Sequence, residues 1–191
     1  MNIASQKVNE SNPGKTTVKG NLLSPLPIVL VGANVKQRPN YLVIGYMSPF
    51  DFGRYIFFSI YKKRFTRIGI HENRTFSVNI PSEDLLRKTN LCGSKSGRNY
   101  DKSTIFESFY GDLQTAPMIR ECPINIECEV AEILDYPEND GVIGRVVKSY
   151  ANPQILTDGK LDMRKVHPIL WAIGGDFNYY RLGDRLTVEK P

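Results

Sequence analysis

The segment from Ile124 to Ala151 constrains the fold more than any other part of the sequence. Apolar residues at positions 124, 126, 128 and 130 alternate with polar residues at 125, 127 and 129. This period of two is typical of a strand with one buried face. The segment continues to Tyr136, the turn-forming run PENDG follows, and GVIGRVVKSYA returns as a second strand. The region therefore predicts a long antiparallel hairpin.

Five other segments are rich in β-branched or aromatic residues and predict further strands. They are PIVLVGANV (27–35), NYLVIGYM (40–47), YIFFSIY (55–61), the alternating run from Phe76 to Ile80, and NYYRLGDRLTV near the C-terminus. The predicted helices are few and short: one from Thr66 to His71, one capped by Ser82 and running towards Asn90, one capped by Ser103 or Asp101 and running through Phe109, and one turn after Asp162.

This pattern favours a mainly β fold, an antiparallel β-barrel or sandwich that carries small helical insertions. A doubly wound parallel sheet is disfavoured, because it requires strands that alternate regularly with longer helices. The chain of 191 residues is long enough for one domain with a substantial core. We expect a polar lead-in over residues 1–21 and a single domain over residues 22–191.

The sequence lacks the features of an exported or membrane-bound chain. The first 21 residues contain no apolar signal core, so we expect a cytoplasmic location. No apolar run approaches the ~18 residues that a membrane helix needs, and no membrane partner is expected. Cys92, Cys122 and Cys128 cannot all pair, and we expect reduced thiols. The two histidines are far apart and no CxxC pair occurs, so no metal site is expected.

The net charge of +5 permits an anionic partner, but the cations are spread along the chain as on an ordinary solvated surface. A β-barrel that binds nucleic acid is a remote alternative, since such barrels hold single strands with basic grooves and stacking aromatic rings. The cations are not gathered on one predicted strand face, and no RNA-binding signature occurs. We therefore expect no nucleic-acid partner.

The segment CGSKSGRNYDK (92–102) has the composition of a phosphate cradle or of a solvated loop. Gly93 and Gly97 allow tight backbone turns that present N–H groups, and the serines add hydroxyl donors. Three cations are present, and Arg98 can bind a phosphate with two parallel hydrogen bonds. The order of residues matches neither a Walker loop nor the GxGxxG fingerprint of dinucleotide-binding proteins. The residues alone leave both interpretations open.

The same segment resembles the C/G-G-x-x-S-G-R-x-x-D-K element of the flavin reductase-like family, in particular its flavoredoxin subgroup. Other segments resemble further elements of the family in the same order along the chain. These are PLPIVLV (25–31), Asn40, KKRFTRIGI (62–70), TFSVNIPS (75–82), INIECEV (124–130), GVIGRVV (141–147), HPILW (167–171) and NYYRLGDRL (178–186). The resemblance covers roughly residues 22–186, and it depends on the ordered set rather than on any single motif.

The resemblance implies an FMN-binding split β-barrel, a Greek-key antiparallel barrel with helical insertions, which agrees with the strand pattern. It also implies a homodimer with FMN in a cleft at or near the subunit contact. The implied function is an FMN-dependent oxidoreductase that transfers electrons from NAD(P)H to flavin or another acceptor. A flavoredoxin-type electron-transfer protein, reduced by a redox protein partner, is the alternative. No catalytic side chain is expected, because the flavin carries the redox chemistry.

The resemblance also implies a set of binding residues. Arg64 and Thr66 are expected at the phosphate, and Ser59 and Asn79 at the ring or ribityl hydroxyls. The ring is expected against the loop formed by Met47, Ser48, Pro49 and Phe50, with a second wall of Cys92, Gly93, Ser94, Ser96 and Lys102. His167 and Tyr180 are expected in the substrate pocket.

Each of several residues also has a purely structural interpretation. Arg64 belongs to the charged run KKR, which is solvated in many proteins. In the structural interpretation, Phe50 plugs the barrel end and Asn79 lies on the solvated face of its strand. Cys92 would be a small packed hydrophobic residue, and His167 would be a structural neighbour of Pro168.

Overall fold

A seven-stranded antiparallel sheet forms the framework of the fold, here described from a computed structural model over residues 14, 15, 18, 20–173 and 178–187. In chain order the strands are β1 (Leu26–Pro27), β2 (Val29–Val35), β3 (Arg38–Ile44), β4 (Met47–Phe50), β5 (Tyr55–Tyr61), β6 (Thr75–Ile80), β7 (Ser108–Phe109), β8 (Met118–Ile119), β9 (Ile124–Asp135), β10 (Asn139–Ala151), β11 (Leu156–Thr157), β12 (Lys160–Leu161), β13 (Ile169–Trp171) and β14 (Tyr179–Arg181). The order in the large sheet is β3-β2-β6-β9-β10-β5-β4, and β1-β13-β14 form a small second sheet. The predicted lead-in over residues 1–21 falls almost entirely outside the described residues.

In the described residues three short helices accompany the sheet, at three of the four places where the sequence predicts them. They are α1 (Thr66–Asn73), α2 (Leu86–Ser94) and α3 (Met163–Val166), with 3-10 turns at Glu83–Leu85, Lys102–Thr104 and Pro153–Ile155. The prediction that a helix extends to Phe109 is wrong. Asp101 caps only the 3-10 turn at Lys102–Thr104, and Ser108–Phe109 is a strand that pairs with β8.

The predicted hairpin of β9 and β10 is confirmed, but its turn is shorter than expected. Asp140 pairs with Asp135, and the Tyr136 N–H donates to the carbonyl oxygen of Asn139 at 3.1 Å. Because this bond closes the turn early, Asn139 and Asp140 belong to β10 rather than to the turn. The same two residues pair with Tyr61 and Ile60 of β5.

The predicted strand over residues 40–47 is interrupted. β3 ends at Ile44, β4 begins at Met47, and Gly45 and Tyr46 separate them. A Cβ at position 45 would lie 2.7 Å from Trp171 Cε3. The indole therefore approaches the backbone at a point where only glycine fits.

Both faces of β2 are buried, and one apolar cluster lies on each side of it. Val29, Val31 and Ala33 pack with residues such as Phe58 and Phe76, whose rings meet edge to face with centroids 5.1 Å apart. The second cluster lies between β2, β3 and α2 and contains Leu30, Tyr41, Leu85, Cys92, Ile105, Phe106, Ile119 and Cys122. Cys92 is thus a packed small hydrophobic residue.

Helix α1 lies directly on β2 because residue 69 is glycine. A Cβ there would be 2.1 Å from the Asn34 carbonyl oxygen. The Asn73 Nδ2 group donates to the same carbonyl oxygen at 2.7 Å and so fixes the helix along the strand. Within the described part of the chain, no helix has the length and apolarity that crossing a membrane requires.

Candidate functional site

A cavity of about 490 Å³ opens between β3, β5 and α2, and β13 and β14 close one end of it. This volume is within the range of cofactor and small-molecule sites. An adjoining cavity of about 320 Å³ shares Leu42, Tyr61 and Arg64 with it. The two cavities together form an elongated cleft, and its two ends differ in chemistry.

The smaller cavity is cationic. Lys63, Arg64 and Lys95 line it, and none of the described residues that line it carries a carboxylate. Arg98 lies over the ring of Phe65, another lining residue, 5.4 Å from its centroid. Within residues 20–173 and 178–187, the Arg64 guanidinium forms no ion pair. This end of the cleft therefore suits an anion.

The N-terminus of α1 also lies at the smaller cavity. No side chain caps this end at Phe65. The Ile68 N–H donates to the Phe65 carbonyl oxygen at 3.1 Å, and the N–H groups of Thr66 and Arg67 have no partner within the described part of the chain. Thr66 Oγ1 accepts a hydrogen bond of 2.7 Å from Asn40 Nδ2, and Thr66 lines the cavity although it is only 1% exposed. Uncapped N–H groups and the helix dipole both favour a bound phosphate. Arg64, Thr66 and Ser96, all predicted binding residues, thus meet at one place.

Gly97 holds the loop after α2 against α1. A Cβ at this position would lie 2.2 Å from Asn40 Oδ1 and 2.6 Å from Phe65 Cδ1. Asn40 therefore contacts both sides of the cationic cavity, through Thr66 on one side and Gly97 on the other. The spacing of the two sides depends on the missing side chain at position 97.

Replacing Gly97 with alanine should separate Lys95 and Ser96 from α1, because the new methyl group must displace Asn40 or Phe65. We expect a roughly five- to tenfold weaker affinity for a phosphate-bearing ligand of this cleft, with a loss of folding free energy of about 1–3 kcal/mol. Titration of the ligand and urea unfolding would measure the two effects. Gly183→Ala is the matched control, since nothing lies within 4 Å of its added Cβ. Equal affinities of the two variants would contradict the expectation.

The wall at the C-terminal end of α2 is formed by Cys92, Gly93 and Ser94. These residues are helical, whereas the sequence suggested a loop over 92–102. Burial raises the pKa of the Cys92 thiol to about 11, although Lys102 acts in the opposite direction. The thiol is therefore protonated at neutral pH and is no redox-active thiolate.

Lys102 supports this wall from behind and does not line either cavity. Its side chain is buried, and Nζ donates to the carbonyl oxygens of Cys92 at 2.6 Å and Tyr41 at 2.9 Å. Burial lowers the pKa of Lys102, Cys92 opposes this effect, and the neighbouring Arg64 adds to it. Lys102 thus joins α2 to β3, and the structure does not place it in direct reach of a ligand.

Ser59 and Asn139 form the polar side of the larger cavity. The Asn139 Nδ2 group donates to Ser59 Oγ at 2.8 Å, and both residues line the cavity. Ser59 was predicted in the site, whereas Asn139 was missed because it was assigned to the turn. No local signal identifies Asn139, since only the pairing of β10 with β5 brings it beside Tyr61.

The end of the larger cavity away from Arg64 is aromatic. Tyr46 and Trp171 meet edge to face with centroids 5.8 Å apart, and Tyr179 lies beside them in the lining. The Tyr179 hydroxyl donates to Asn90 Oδ1 at 3.5 Å. Tyr46, Asn90 and Tyr179 are not among the predicted site residues. A signal for Tyr46 existed, since a glycine within a predicted strand marks a break or a close approach.

Met47, Ser48, Pro49 and Phe50 do not form the expected ring-facing loop. They are strand β4, which pairs with β5 at the edge of the sheet, and none of them lines the cleft. Phe50 is 52% exposed and contacts Tyr55 edge to face, so it does not plug the barrel either. The residues just before β4, Ile44 to Tyr46, form this part of the cavity wall instead.

Asn79 is also located away from the cleft. It is fully buried, and its Nδ2 group donates to the Leu30 carbonyl oxygen and to Ser77 Oγ, each at 2.9 Å. Its Oδ1 accepts from Ile119 N and from Asn125 Nδ2, each at 2.8 Å. Since both ends of the amide are bonded within the protein, Asn79 is neither a ligand residue nor part of a solvated face.

His167 and Tyr180 lie outside the cleft in the described part of the chain. His167 is the left-handed residue that ends α3, and its carbonyl oxygen accepts from the Glu83 N–H at 2.9 Å. This arrangement matches the structural interpretation of His167. Tyr180 is 52% exposed on β14, and its neighbour Tyr179 lines the cavity instead.

Comparison with known proteins agrees with this geometry. The family model described as "Flavin reductase like domain" matches residues 22–174. The structure of flavoredoxin from Methanosarcina acetivorans is similar, with 39% identity, a TM-score of 0.87, and coverage of 91% of this chain and 94% of that chain. Flavoredoxin of Desulfovibrio vulgaris (Miyazaki F) has 27% identity and a TM-score of 0.84 over 91% of this chain and 96% of that chain.

The fold is shared more widely. An FMN-binding protein from Thermus thermophilus, crystallised with bound p-hydroxybenzaldehyde, has 23% identity and a TM-score of 0.77, over 95% of this chain and all (100%) of that chain. The expected split-barrel fold class is therefore confirmed. From its family match and from its structural similarity, the chain belongs to the flavin reductase-like family.

Proposed function

We propose that this chain, through a domain spanning residues 22–191, is an FMN-binding oxidoreductase that transfers electrons from NAD(P)H to flavin or another acceptor. One observation carries the proposal: the cleft joins a cationic cavity at the N-terminus of α1 to a larger cavity with an aromatic end. Membership of the flavin reductase-like family indicates that the ligand is a flavin. A cationic end without carboxylates among its described lining residues favours a flavin that carries a phosphate.

The phosphate would be held by Arg64, Thr66, Lys95 and Ser96. Arg64 offers a planar fork of donors that matches two phosphate oxygens, and Thr66 offers a hydroxyl and a backbone N–H. Lys95 adds a mobile positive charge, and Ser96 a second hydroxyl. These groups come from the β5–α1 connection and from the loop after α2, so binding would also tie the two segments together.

The remainder of the cofactor would occupy the larger cavity. Ser59 and Asn139 offer hydrogen bonds to ribityl hydroxyls or ring edges, and the residues from Cys92 to Ser94 form the opposite wall. Bound FMN would supply hydride acceptance and one-electron release, chemistry that amino-acid side chains lack. The protein residues would bind and orient it and exclude water. The protonated Cys92 thiol would contribute packing alone.

The aromatic end leaves space for a planar second ligand. Tyr46, Trp171 and Tyr179 present apolar ring surface, and planar rings pack on such surfaces in offset or edge-to-face geometry. We assign this end to the nicotinamide or to the electron acceptor. The sequence predicted His167 and Tyr180 in the substrate pocket. We assign that role to the aromatic end instead, because His167 and Tyr180 lie outside the cleft.

A second candidate keeps the flavin but replaces the nicotinamide by a protein. The similarity to flavoredoxin from Methanosarcina acetivorans favours it, since that relative is 39% identical. The exposed cations Lys63, Arg64 and Lys95 at the mouth of the cleft would then also attract an acidic redox partner. For either candidate we propose a cytoplasmic homodimer, and light scattering of the purified protein would measure its mass.

The purified protein should be yellow, with an absorbance band near ~450 nm that belongs to the flavin itself. NADH and NADPH oxidation, measured with and without added FMN, would separate the two candidates. Turnover supports the NAD(P)H oxidoreductase, and a bound, reducible flavin without turnover supports the electron-transfer protein. A colourless protein that also fails to quench the fluorescence of added FMN would contradict both.

A further inference from the structure

A buried carboxylate that lies outside the cleft connects the start of β10 to helix α1. Asp140 is 1% exposed, and its Oδ2 accepts a hydrogen bond of 2.5 Å from Arg67 Nε. The same oxygen lies 2.6 Å from His71 Nε2. Arg67 and His71 are four residues apart and therefore share one face of α1. A single carboxylate oxygen thus holds two consecutive turns of the helix.

The neighbours of Asp140 place this contact at the base of the cationic cavity. Arg67 directly follows Thr66, and Asn139, the residue before Asp140, lines the larger cavity. The Lys62 N–H donates to the Glu138 carbonyl oxygen at 3.0 Å, and Lys62 also forms an ion pair with Asp135. The β9–β10 hairpin therefore holds both α1 and the short connection that contains Arg64.

The contacts of Asp140 with Arg67 and His71 require a definite position of α1. Burial raises the pKa of Asp140, but hydrogen bonds from Arg67 and His71 outweigh this effect and hold the pKa below its ordinary value. The second carboxylate oxygen, Oδ1, is buried without a hydrogen-bond partner in the described part of the chain. A buried ion pair adds little net stability over an apolar pair of the same shape, but removing one partner alone is strongly destabilising, because the other charge stays buried. The geometry of the two contacts at one oxygen also ties the position of α1 to β10.

We propose that Asp140 is a positioning residue: through Arg67 and His71 it fixes the first turn of α1, and it thereby sets the preference of the cleft for FMN over riboflavin. Riboflavin has the same ring and ribityl chain but no phosphate. The inference rests on the proposed flavin-binding function and deepens it. It assigns specificity to a residue that does not itself touch the ligand.

The Asp140→Asn variant tests this, because it keeps the shape of the side chain and removes its charge. Dissociation constants for FMN and for riboflavin would be measured by quenching of flavin fluorescence. We expect FMN to bind roughly tenfold more weakly, a loss typical of a misplaced binding group, and riboflavin to bind as before. General damage to the fold would weaken both flavins alike. Asp112→Asn, which breaks an exposed pair with Lys148, is the control and should change neither constant.

Arg67→Met and His71→Leu keep the inference testable if Asp140→Asn does not fold. Each variant removes one of the two contacts and should lower the preference for FMN in part. In a wild-type protein that prefers FMN, an unchanged preference in all folded variants would overturn the role of Asp140. A wild-type protein that binds both flavins equally would instead overturn the phosphate site, and this inference with it.

Discussion

Replacing Arg64 with alanine should weaken FMN binding by about 1.5–3 kcal/mol, which is roughly a ten- to hundredfold rise in Kd. The guanidinium lines both cavities of the cleft and has no carboxylate partner within the described ranges, so its charge is available to a ligand. Its removal would delete a charge-assisted hydrogen bond and leave the α1 N-terminus with Thr66, Lys95 and Ser96 as the remaining phosphate contacts. Fluorescence titration with FMN measures the change.

Two further variants make the Arg64 result specific. Arg64→Lys retains the charge but loses the planar fork, and it should give an intermediate affinity. Arg145→Ala removes an exposed arginine that pairs with Glu129 and lines neither cavity, and it should bind FMN normally. Riboflavin affinity should change little in all three variants. If Arg64→Ala retains wild-type affinity for FMN, Arg64 does not belong to the site.

Raising the pH above about 9 should destabilise the protein steeply, because three thiols are buried. Cys92, Cys122 and Cys128 are each at most 1% exposed. Burial raises the pKa of Cys92 to about 11 and of Cys128 to about 12, and it raises that of Cys122 further. In the unfolded chain, thiols ionise near their ordinary value of 9.0. Above that pH the unfolded state loses protons that the folded state retains.

The sign of the effect follows from this difference in bound protons. The contribution of each thiol to stability is complete below pH 9 and falls as the pH rises towards the folded-state pKa. The loss is about 1.4 kcal/mol per pH unit for each thiol, or roughly 4 kcal/mol per unit for the three. Burial raises the pKa of Tyr41 as well, which adds to the loss above its ordinary value of 10.0. Lys102 opposes the trend, since its pKa is lowered and folding becomes more favourable as the pH approaches 10.5.

Urea unfolding in the presence of a reductant, at intervals between pH 7.5 and about 10.5, would measure this slope. Cys128→Ala should reduce the slope by roughly a third, although it also creates a cavity that lowers stability at every pH. The slope and the offset are therefore separable in one set of curves. A free energy of unfolding that stays constant from pH 9 upwards would contradict the burial of the three thiols.

The sequence alone determined the features that depend on patterns of neighbouring residues. The alternation from Ile124 to Val130 predicted β9, and the strand-like runs and short capped segments predicted an antiparallel fold with small helices. The charged run before Thr66 and the glycines at 93 and 97 located the two segments that form the cationic cavity. In each case the signal lies within a few neighbouring residues, because backbone preferences and the period of buried side chains are local properties.

Only the tertiary structure decided which polar side chains face the cleft. Asn79 and Lys102 have the chemistry of ligand residues, yet their partners at Leu30, Ile119 and Cys92 bury them in the framework. Asn139 and Asp140 looked like turn residues, and the register of β10 against β5 places one in the cavity and the other beneath α1. Register, the break between β3 and β4, and the approach of α1 to β10 all depend on contacts between distant segments. Local sequence patterns alone do not identify which distant segments form these contacts.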